Sequence, residues 1–240
     1  MRVQLQPAYI LHQRAYRDTS LLLELFTAEH GRVSLVAKGV RRRSRGGSSA
    51  ALLQPFIPLL LSFSGRHELK TLTHVEAAAA GRILRGERLY SALYLNELLV
   101  RLLHRHDPHP TLFAAYSEAL DHLQDAGSVD PVLRRFELGL LEELGYSLSL
   151  SVEGLSGDPL REEGWYLLDP EYGLVRAPAG ASPAYPGADL LAMGCGEFAG
   201  PAGRTAKRLM RQALALHLGP EPLKSRELFR ARWRDDSAAE

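Results

Sequence analysis

Residues 32–49 read Arg-Val-Ser-Leu-Val-Ala-Lys-Gly-Val-Arg-Arg-Arg-Ser-Arg-Gly-Gly-Ser-Ser. Apolar side chains at 33, 35 and 37 recur at the period of a β-strand that turns one face to a core. After Gly39 the stretch is basic and rich in glycine and serine, which favours a loop. Because guanidinium groups bind phosphate oxygens whatever the base, the stretch predicts a barrel strand that leads into a nucleic-acid-binding loop. A solvated loop whose charge serves solubility is the open alternative.

Positive charge is concentrated in the first third of the chain. Residues 1–80 hold 11 Lys and Arg against 5 Asp and Glu, a surplus of +6. The counts are 7 against 11 for residues 81–155, and 11 against 12 for the remainder. This asymmetry is expected if the N-terminal module contacts a polyanion and the rest of the chain does not.

Length and composition indicate a globular protein of a reducing compartment. The 240 residues are 45% hydrophobic, enough for a substantial core. Cys195 is the single cysteine, so no intramolecular disulfide can form, and we expect its thiol to be buried and structural. The N-terminus lacks an apolar signal core and no run approaches the ~18 apolar residues of a membrane span. We therefore expect a soluble, cytoplasmic protein.

Strand patterns dominate residues 1–80. Five short strands and a long basic loop between the third and the fourth suit a small closed barrel of the OB-fold type. Pro55 and Pro58 make the fourth strand imperfect, so we expect an edge strand or a bulged strand there. The predicted strands are residues 9–12, 20–26, 32–38, 56–63 and 69–75.

Helical spacing replaces the strand pattern after Gly81, so the predicted fold class is α+β. In a helical domain over 81–150, leucines between Leu89 and Leu103 predict one helix and residues 111–126 a second. For a third, Asp130 is the expected N-cap and Gly145 the end. We expect these helices to form a bundle. The other predicted segments are an irregular region over 151–201 with a hairpin at 165–175, and C-terminal helices within 202–235 (204–218 and 225–233) that pack on the helical domain.

Motifs for catalysis are missing, so we expect no enzyme. The sequence has no phosphate-binding P-loop, no nucleophile elbow and no zinc-protease helix. His104, His106 and His109 cluster beside prolines, which favours a solvated helix end over a metal site. A hydrolase that uses Cys195 is the weakest alternative.

Two further basic clusters lie in the helical part. Lys207, Arg208 and Arg211 share one helix face. Arg134 and Arg135 stand beside a leucine stripe, where a guanidinium next to an apolar groove could receive a peptide that ends in a hydrophobic residue and a carboxylate. Ordinary surface arginines are an equally open interpretation of both.

Segments along nearly the whole chain resemble, in the same order, the RecO family of recombination mediators. The N-terminal segments are 8–12 (Ala-Tyr-Ile-Leu-His), 17–20 (Arg-Asp-Thr-Ser), 31–39 (Gly-Arg-Val-Ser-Leu-Val-Ala-Lys-Gly) and 53–56 (Leu-Gln-Pro-Phe). The later ones are 93–98 (Leu-Tyr-Leu-Asn-Glu-Leu), 134–137 (Arg-Arg-Phe-Glu), 144–146 (Leu-Gly-Tyr) and 223–229 (Leu-Lys-Ser-Arg-Glu-Leu-Phe).

The resemblance implies an N-terminal OB-fold, a helical domain completed by the C-terminal helices, and no catalytic centre or cofactor. It implies a nucleoid-associated DNA repair protein that anneals strands coated by single-stranded DNA-binding protein and, with RecR, helps to load RecA. The tail of the coating protein would bind in the helical domain, with Arg134, beside Leu133, pairing with its carboxylate. Many relatives carry a four-cysteine zinc motif after the Leu-Gly-Tyr segment; residues 147–157 contain no cysteine, so a zinc-free variant is implied.

The expected mechanism is electrostatic: cations screen phosphate repulsion while single- or double-stranded DNA is bound. Tyr9, Tyr16 and Phe63 could stack on bases, although a place in the barrel core is the stronger expectation for most of them. Two alternatives stay open: an OB-fold protein that binds RNA, and a non-catalytic protein adaptor. The candidate DNA-binding residues are Arg14, Arg17, Lys38, Arg41, Arg42, Arg43, Arg45, Arg66, Lys70, Lys207, Arg208 and Arg211.

Overall fold

A computed structural model describes residues 2–41 and 51–228. It divides into two compact units. The first comprises the chain up to Asp125 together with the segment from Pro222 onward, and the second is Ala126–Glu221. The domain boundary predicted after residue 80 stays a prediction, and the compact units separate at 125 and 126.

Five strands close into a barrel in the first unit, in the order β1-β2-β3-β5-β4. All neighbouring strands are antiparallel except β3 and β5, which run parallel. The predicted α+β class with an N-terminal OB-type barrel is thereby confirmed. The strands are β1 (Arg2–Tyr16), β2 (Ser20–Thr27), β3 (Gly31–Ala37), β4 (Leu59–Ser64) and β5 (Lys70–Ala77).

Alternating apolar side chains fill the barrel, as the period-2 pattern predicts. The fully buried members of this core include Ile10, Leu23, Leu25, Val33, Leu35, Leu61 and Phe63.

Two strands differ from their predicted form. β1 covers 15 residues, far more than the four predicted. β4 begins only after Pro58 and pairs with β1 on one side and β5 on the other. The prediction of an edge strand is therefore wrong, because barrel closure leaves β4 no free edge. The alternative, a bulged strand, is confirmed by a register shift between Ser62 and Phe63.

The first unit also contains α1 (Glu87–Leu102) and α2 (Pro110–His122). Buried Asn96 of α1 donates from Nδ2 to the carbonyl oxygen of Leu11 at 2.9 Å and accepts from the Tyr116 hydroxyl at 2.5 Å. Burial raises the pKa of Tyr116, so this hydroxyl keeps the proton that it donates. One polar side chain thus joins both helices to the barrel.

Glu97 of α1 connects two segments 128 residues apart. Its carboxylate accepts hydrogen bonds from the backbone N–H of Lys224 (2.8 Å) and of Ser225 (2.8 Å), and from the Ser225 hydroxyl (2.7 Å). Burial raises the pKa of Glu97, but these hydrogen bonds outweigh it, and the pKa lies below its usual value. Within the predicted C-terminal helix 225–233, residues 225–228 are helical and the rest lies outside the described residues.

Glu97→Gln should release the segment that begins at Pro222. The amide removes one acceptor oxygen and the charge, which costs about 1.5–3 kcal/mol for hydrogen bonds to a charged group. Because the folded pKa is depressed, this stabilisation is present above the unfolded-state pKa, and it is lost as pH falls through the folded pKa. The measurement is the free energy of unfolding against pH, with amide exchange at Lys224 and Ser225.

Glu87→Gln, an exposed position in the first turn of α1, is the matched control and should leave exchange at both amides unchanged. An equal, pH-independent loss of stability in both variants would contradict the role of Glu97.

The second unit combines three helices with a small antiparallel sheet in the order β7-β6-β8. The predicted hairpin at 165–175 is confirmed by β6 and β7, which join through Gly173 at φ +77°. Residues 151–201 are therefore not wholly irregular, because Tyr166, Leu168 and Leu174 are buried and stabilise the sheet. The elements are α3 (Val129–Glu143), β6 (Trp165–Asp169), β7 (Gly173–Arg176), β8 (Tyr185–Pro186), α4 (Gly187–Gly194) and α5 (Gly200–Leu218).

Four local expectations differ from the structure. The N-cap of α3 is Ser128, and Asp130 lies in the first turn, where the helix dipole favours a carboxylate. α5 begins at Gly200 rather than at 204, since Pro201 fits a first helical turn. Cys195, which directly follows the end of α4, is exposed and not buried as expected. The helices predicted to form one bundle are divided, α1 and α2 in the first unit and α3 in the second.

Candidate nucleic-acid interface

An open cleft of about 540 Å³ lies at one end of the barrel, where three chain segments meet. They are the turn between β1 and β2, the residues at the end of β3, and the start of β5 with the residue before it. The lining residues are Tyr16, Arg17, Thr19, Ser20, Val36, Lys38, Gly39, Leu69, Lys70 and Thr71. We call this the barrel cleft.

Three of the predicted DNA-binding cations, Arg17, Lys38 and Lys70, line the barrel cleft. Strand register brings them together. β1 and β2 pair as far as Tyr16 and Ser20, so Arg17 occupies the turn. The parallel pairing of β3 with β5 sets Leu35 opposite Lys70, and Lys38 follows directly after β3. Residues far apart in the sequence thus form one positive surface.

Lys70 is the most enclosed of these cations, with 7% of its surface exposed. Its ammonium donates to the carbonyl oxygen of His67 at 3.1 Å. Burial, and next the positive charge of Lys70, lower the pKa of His106. The ammonium has further donors available for an anion in the cleft.

Arg17 adopts left-handed backbone geometry, with φ 52°. For a residue with a side chain this costs about 1–2 kcal/mol, a strain that concentrates at functional positions. The guanidinium lies 5.3 Å from the ring centroid of Tyr16. The turn thus presents a cation beside an aromatic face, a pairing that suits phosphate and base together.

The basic loop begins beside this cleft. The backbone N–H of Arg41 donates to the carbonyl oxygen of Thr19 at 3.0 Å, and the Arg41 side chain is exposed. Arg42, Arg43 and Arg45 lie outside the described residues. Arg14 on β1 and Arg66 between β4 and β5 are exposed but do not line the barrel cleft.

The three candidate stacking aromatics have different surroundings. Tyr9 and Phe63 are buried, in agreement with the expectation that most of these aromatics lie in the core. The Tyr9 hydroxyl is hydrogen-bonded to Ser117 at 2.8 Å and accepts from Arg82 at 2.8 Å. Tyr16 is half-buried and lines the barrel cleft, where its ring is available to a base.

The remaining predicted DNA contacts lie in the second unit. Lys207, Arg208 and Arg211 are all exposed on α5. The ammonium of Lys207 is 3.5 Å from a carboxylate oxygen of Asp130, and the guanidinium of Arg208 lies 5.3 Å from the ring centroid of Tyr185. Their role in DNA binding stays a prediction.

Arg134 and Leu133, expected to bind a partner peptide, are both buried. Arg134 Nη2 lies 2.9 Å from Glu137 Oε1, and the two side chains expose only 7% and 0% of their surface. The guanidinium therefore already contacts a carboxylate on its own helix. The peptide-binding role stays a prediction, and any test of it must account for this pair.

The sequence did not single out a cleft in the second unit lined by Trp165 and Arg176. Trp165 was noted only as the start of a hairpin. The usable signal in the sequence is the predicted hairpin at 165–175, because antiparallel strands bring residue 165 next to the residues that follow 175. In the structure the Trp165 carbonyl accepts from the Ala177 N–H, so the tryptophan and Arg176 meet at one end of the hairpin. A lone tryptophan matches no functional motif.

Two features are absent from the described residues. Across 2–41 and 51–228, no group of three or more His, Cys, Asp and Glu residues could hold a metal ion. No helix in that same part of the chain is long and apolar enough to cross a membrane.

Comparison with known proteins gives matches along nearly the whole chain. The family model for the N-terminal part of recombination protein O matches residues 1–80, and that for its C-terminal part matches residues 83–227. A protein of Methylococcus capsulatus named DNA repair protein RecO is 51% identical over 232 residues, 96% of this chain and 94% of the relative. Proteins of the same name from Nitrosococcus oceani and Pseudomonas putida strain W619 are 50% and 45% identical, each over 95% of this chain and over 94% and 97% of the relative.

Proposed function

The chain belongs to the RecO family of DNA repair proteins, and from this premise we propose that it is a non-catalytic mediator acting on DNA strands at the nucleoid. It binds single- and double-stranded DNA and anneals complementary strands coated by single-stranded DNA-binding protein. With RecR it helps to load RecA at gaps. The tail of the coating protein is its docking partner in the helical part, at α3.

The observation that carries DNA binding is the barrel cleft, which gathers Arg17, Lys38 and Lys70 around Tyr16. Such a cleft combines donors for phosphates with a ring for bases, the two elements of single-strand binding by OB-type barrels. Arg41 starts the basic loop at its rim.

Annealing follows from charge neutralisation. Two single strands repel each other through their phosphates, and a surface that neutralises part of that charge lowers the cost of encounter. Phosphate contacts carry no sequence information, so the same surface serves any pair of complementary strands. No bond is made or broken in the process, and no cofactor is needed.

Binding to a single strand should depend steeply on salt. If about five phosphates are neutralised, log affinity falls against log salt with a slope of about −3.5. The double variant Arg17→Gly/Lys38→Ala removes two contacts, and the slope should shrink to about −2.1. Glycine accepts φ 52° without strain, so the fold is retained and the loss reports binding. The measurement is oligonucleotide anisotropy over a salt series, followed by annealing of coated strands.

Arg85→Ala, an exposed arginine outside the barrel cleft, removes one charge and is the control. It should leave both the slope and the annealing rate close to wild type. A wild-type slope near zero, or no acceleration of annealing on coated or bare strands, would leave the adaptor function as the better account. Strong preference for RNA of the same sequence would favour the RNA-binding alternative.

A further inference from the structure

The second unit contains an open cleft of about 650 Å³, here called the Trp165 cleft. Its volume lies in the ~300–1,000 Å³ range of ligand pockets. Trp165, at the start of β6, leaves 55% of its surface exposed. The loop 177–184 forms another wall and consists of alanine, glycine, serine and proline, so no bulky side chain of that loop covers the indole.

Two guanidinium groups line the same cleft, from Arg176 at the end of β7 and from Arg208 on α5. Arg208 donates to the Ala184 carbonyl at 3.3 Å and lies over the buried ring of Tyr185. These contacts hold the guanidinium at the wall of the cleft. Among the described residues, neither arginine forms an ion pair. Glu163 is the one carboxylate in the lining, so the cleft carries a net positive charge.

The positive charge continues along α5. Arg204, Arg208 and Arg211 are exposed at spacings of four and three, which places them on one face of the helix. The row extends over about 10 Å at 1.5 Å per residue. No ion pair involves Arg204 or Arg211 within the described part of the chain. Arg208 lies between the other two, so a strand that crosses the cleft would meet Arg204 on one side and Arg211 on the other, each with donors for a phosphate.

We propose that the Trp165 cleft is a second binding site for single-stranded nucleic acid. One base stacks on the indole of Trp165, and Arg176 and Arg208 bind the flanking phosphates. The strand then passes Arg204 on one side of Arg208 and Arg211 on the other. The inference rests on the proposed function and adds to it a site that is separate from the barrel cleft. A protein with two such sites can hold two strands at once, which is what annealing requires.

The exposed indole favours a single strand over other anions. Bases in a duplex are stacked on each other and offer no free face, so a duplex would leave the indole without a contact. An acidic peptide would contact the arginines but has no planar group for the ring. Stacking is also tolerant of sequence, since every base has a π-face.

Indole fluorescence tests the proposal directly. The chain has two tryptophans, so Trp233→Phe leaves Trp165 as the only one. This variant is titrated with oligothymidylate at low salt, following Trp165 emission and, with a labelled strand, anisotropy. We expect saturable quenching, and quenching that persists in the added Arg17→Gly/Lys38→Ala background. In the Arg17→Gly/Lys38→Ala background, where the barrel cleft is weakened, Trp165→Ala should lower the strand affinity measured by anisotropy about tenfold, the order expected for one lost stacking contact.

The controls separate the possible failures. Tyr172→Ala, which removes an aromatic side chain 45% exposed in the same unit but outside the cleft, should leave affinity unchanged. A relaxed, covalently closed circular duplex, which has no terminal base pair to stack on the indole, should not quench Trp165. Binding by anisotropy with unchanged Trp165 emission and a neutral Trp165→Ala would overturn the second site and leave the proposed function intact. No binding of the strand by the wild type would overturn both, and quenching by an acidic peptide alone would assign the cleft to a protein partner.

Discussion

Gly31→Ala is expected to destabilise the first unit by more than about 4 kcal/mol, at the upper end of single-residue effects. Gly31 begins β3 with φ +59°, where alanine is strained. A Cβ atom there would lie 1.8 Å from the carbonyl oxygen of Asp107, in the segment after α1. The backbone cannot simply move away, because the His106 N–H donates to the Arg32 carbonyl at 3.0 Å beside it.

Gly39→Ala is the matched control for this prediction. Gly39 has a similar φ of +71°, but a Cβ atom there meets nothing within 4 Å. Gly39→Ala should lose only the free energy of placing alanine in left-handed backbone geometry, about 1–2 kcal/mol. Urea unfolding of both variants measures the difference. If the two lost the same amount of stability, the close approach of Gly31 to Asp107 would not exist in solution.

Arg134→Ala is expected to cost about 3–5 kcal/mol, because it removes one partner of a buried ion pair and leaves the charge of Glu137 in the interior. The loss is a property of the fold and appears without any ligand. Arg135→Ala on the neighbouring exposed position is the control. Its guanidinium lies 5.9 Å from the ring centroid of Phe198, so its loss should cost less than about 1 kcal/mol.

The double variant Arg134→Met/Glu137→Leu distinguishes folding from peptide binding. Replacing both members of a buried ion pair by apolar residues is often neutral for stability. This variant should therefore recover most of what Arg134→Ala loses. If the recovered protein still binds the tail of single-stranded DNA-binding protein with wild-type affinity, Arg134 is a structural residue. If stability returns and tail binding does not, the guanidinium itself receives the tail carboxylate.

Residues 32–38 show how much of a strand's burial can be predicted from the alternation of apolar residues. It correctly predicts that Val33, Leu35 and Ala37 face the core. It also implies a solvated opposite face, yet Ser34 and Val36 are buried as well. Ser34 donates to a Glu24 carboxylate at 2.7 Å, on a neighbouring strand. Periodicity reports one face of a strand, and what covers the other face depends on distant segments.

Arg134 illustrates the same limit for the candidate site. Its i, i+3 spacing to Glu137 was visible in the sequence and is enough for an ion pair on a helix. The burial of that pair was not visible in the sequence. Which side of α3 is buried depends on the segments that pack against the helix, and these are distant in sequence. A surface receptor and an internal ion pair therefore give the same local pattern.

By itself, the sequence determined the elements of this protein: a five-stranded barrel, the helices that follow, the hairpin at 165–175 and the family. These depend on the local spacing of apolar residues, on turn residues and on the order of the family's sequence segments, all of which can be read from the sequence. Only the tertiary structure decided which side chains meet. The pairing of β3 with β5 brings Lys70 to Lys38, Glu97 contacts Ser225 across 128 positions, and Arg176 shares a cleft with Trp165 and Arg208. Such contacts arise from chain closure over long sequence separations, and no local pattern encodes them.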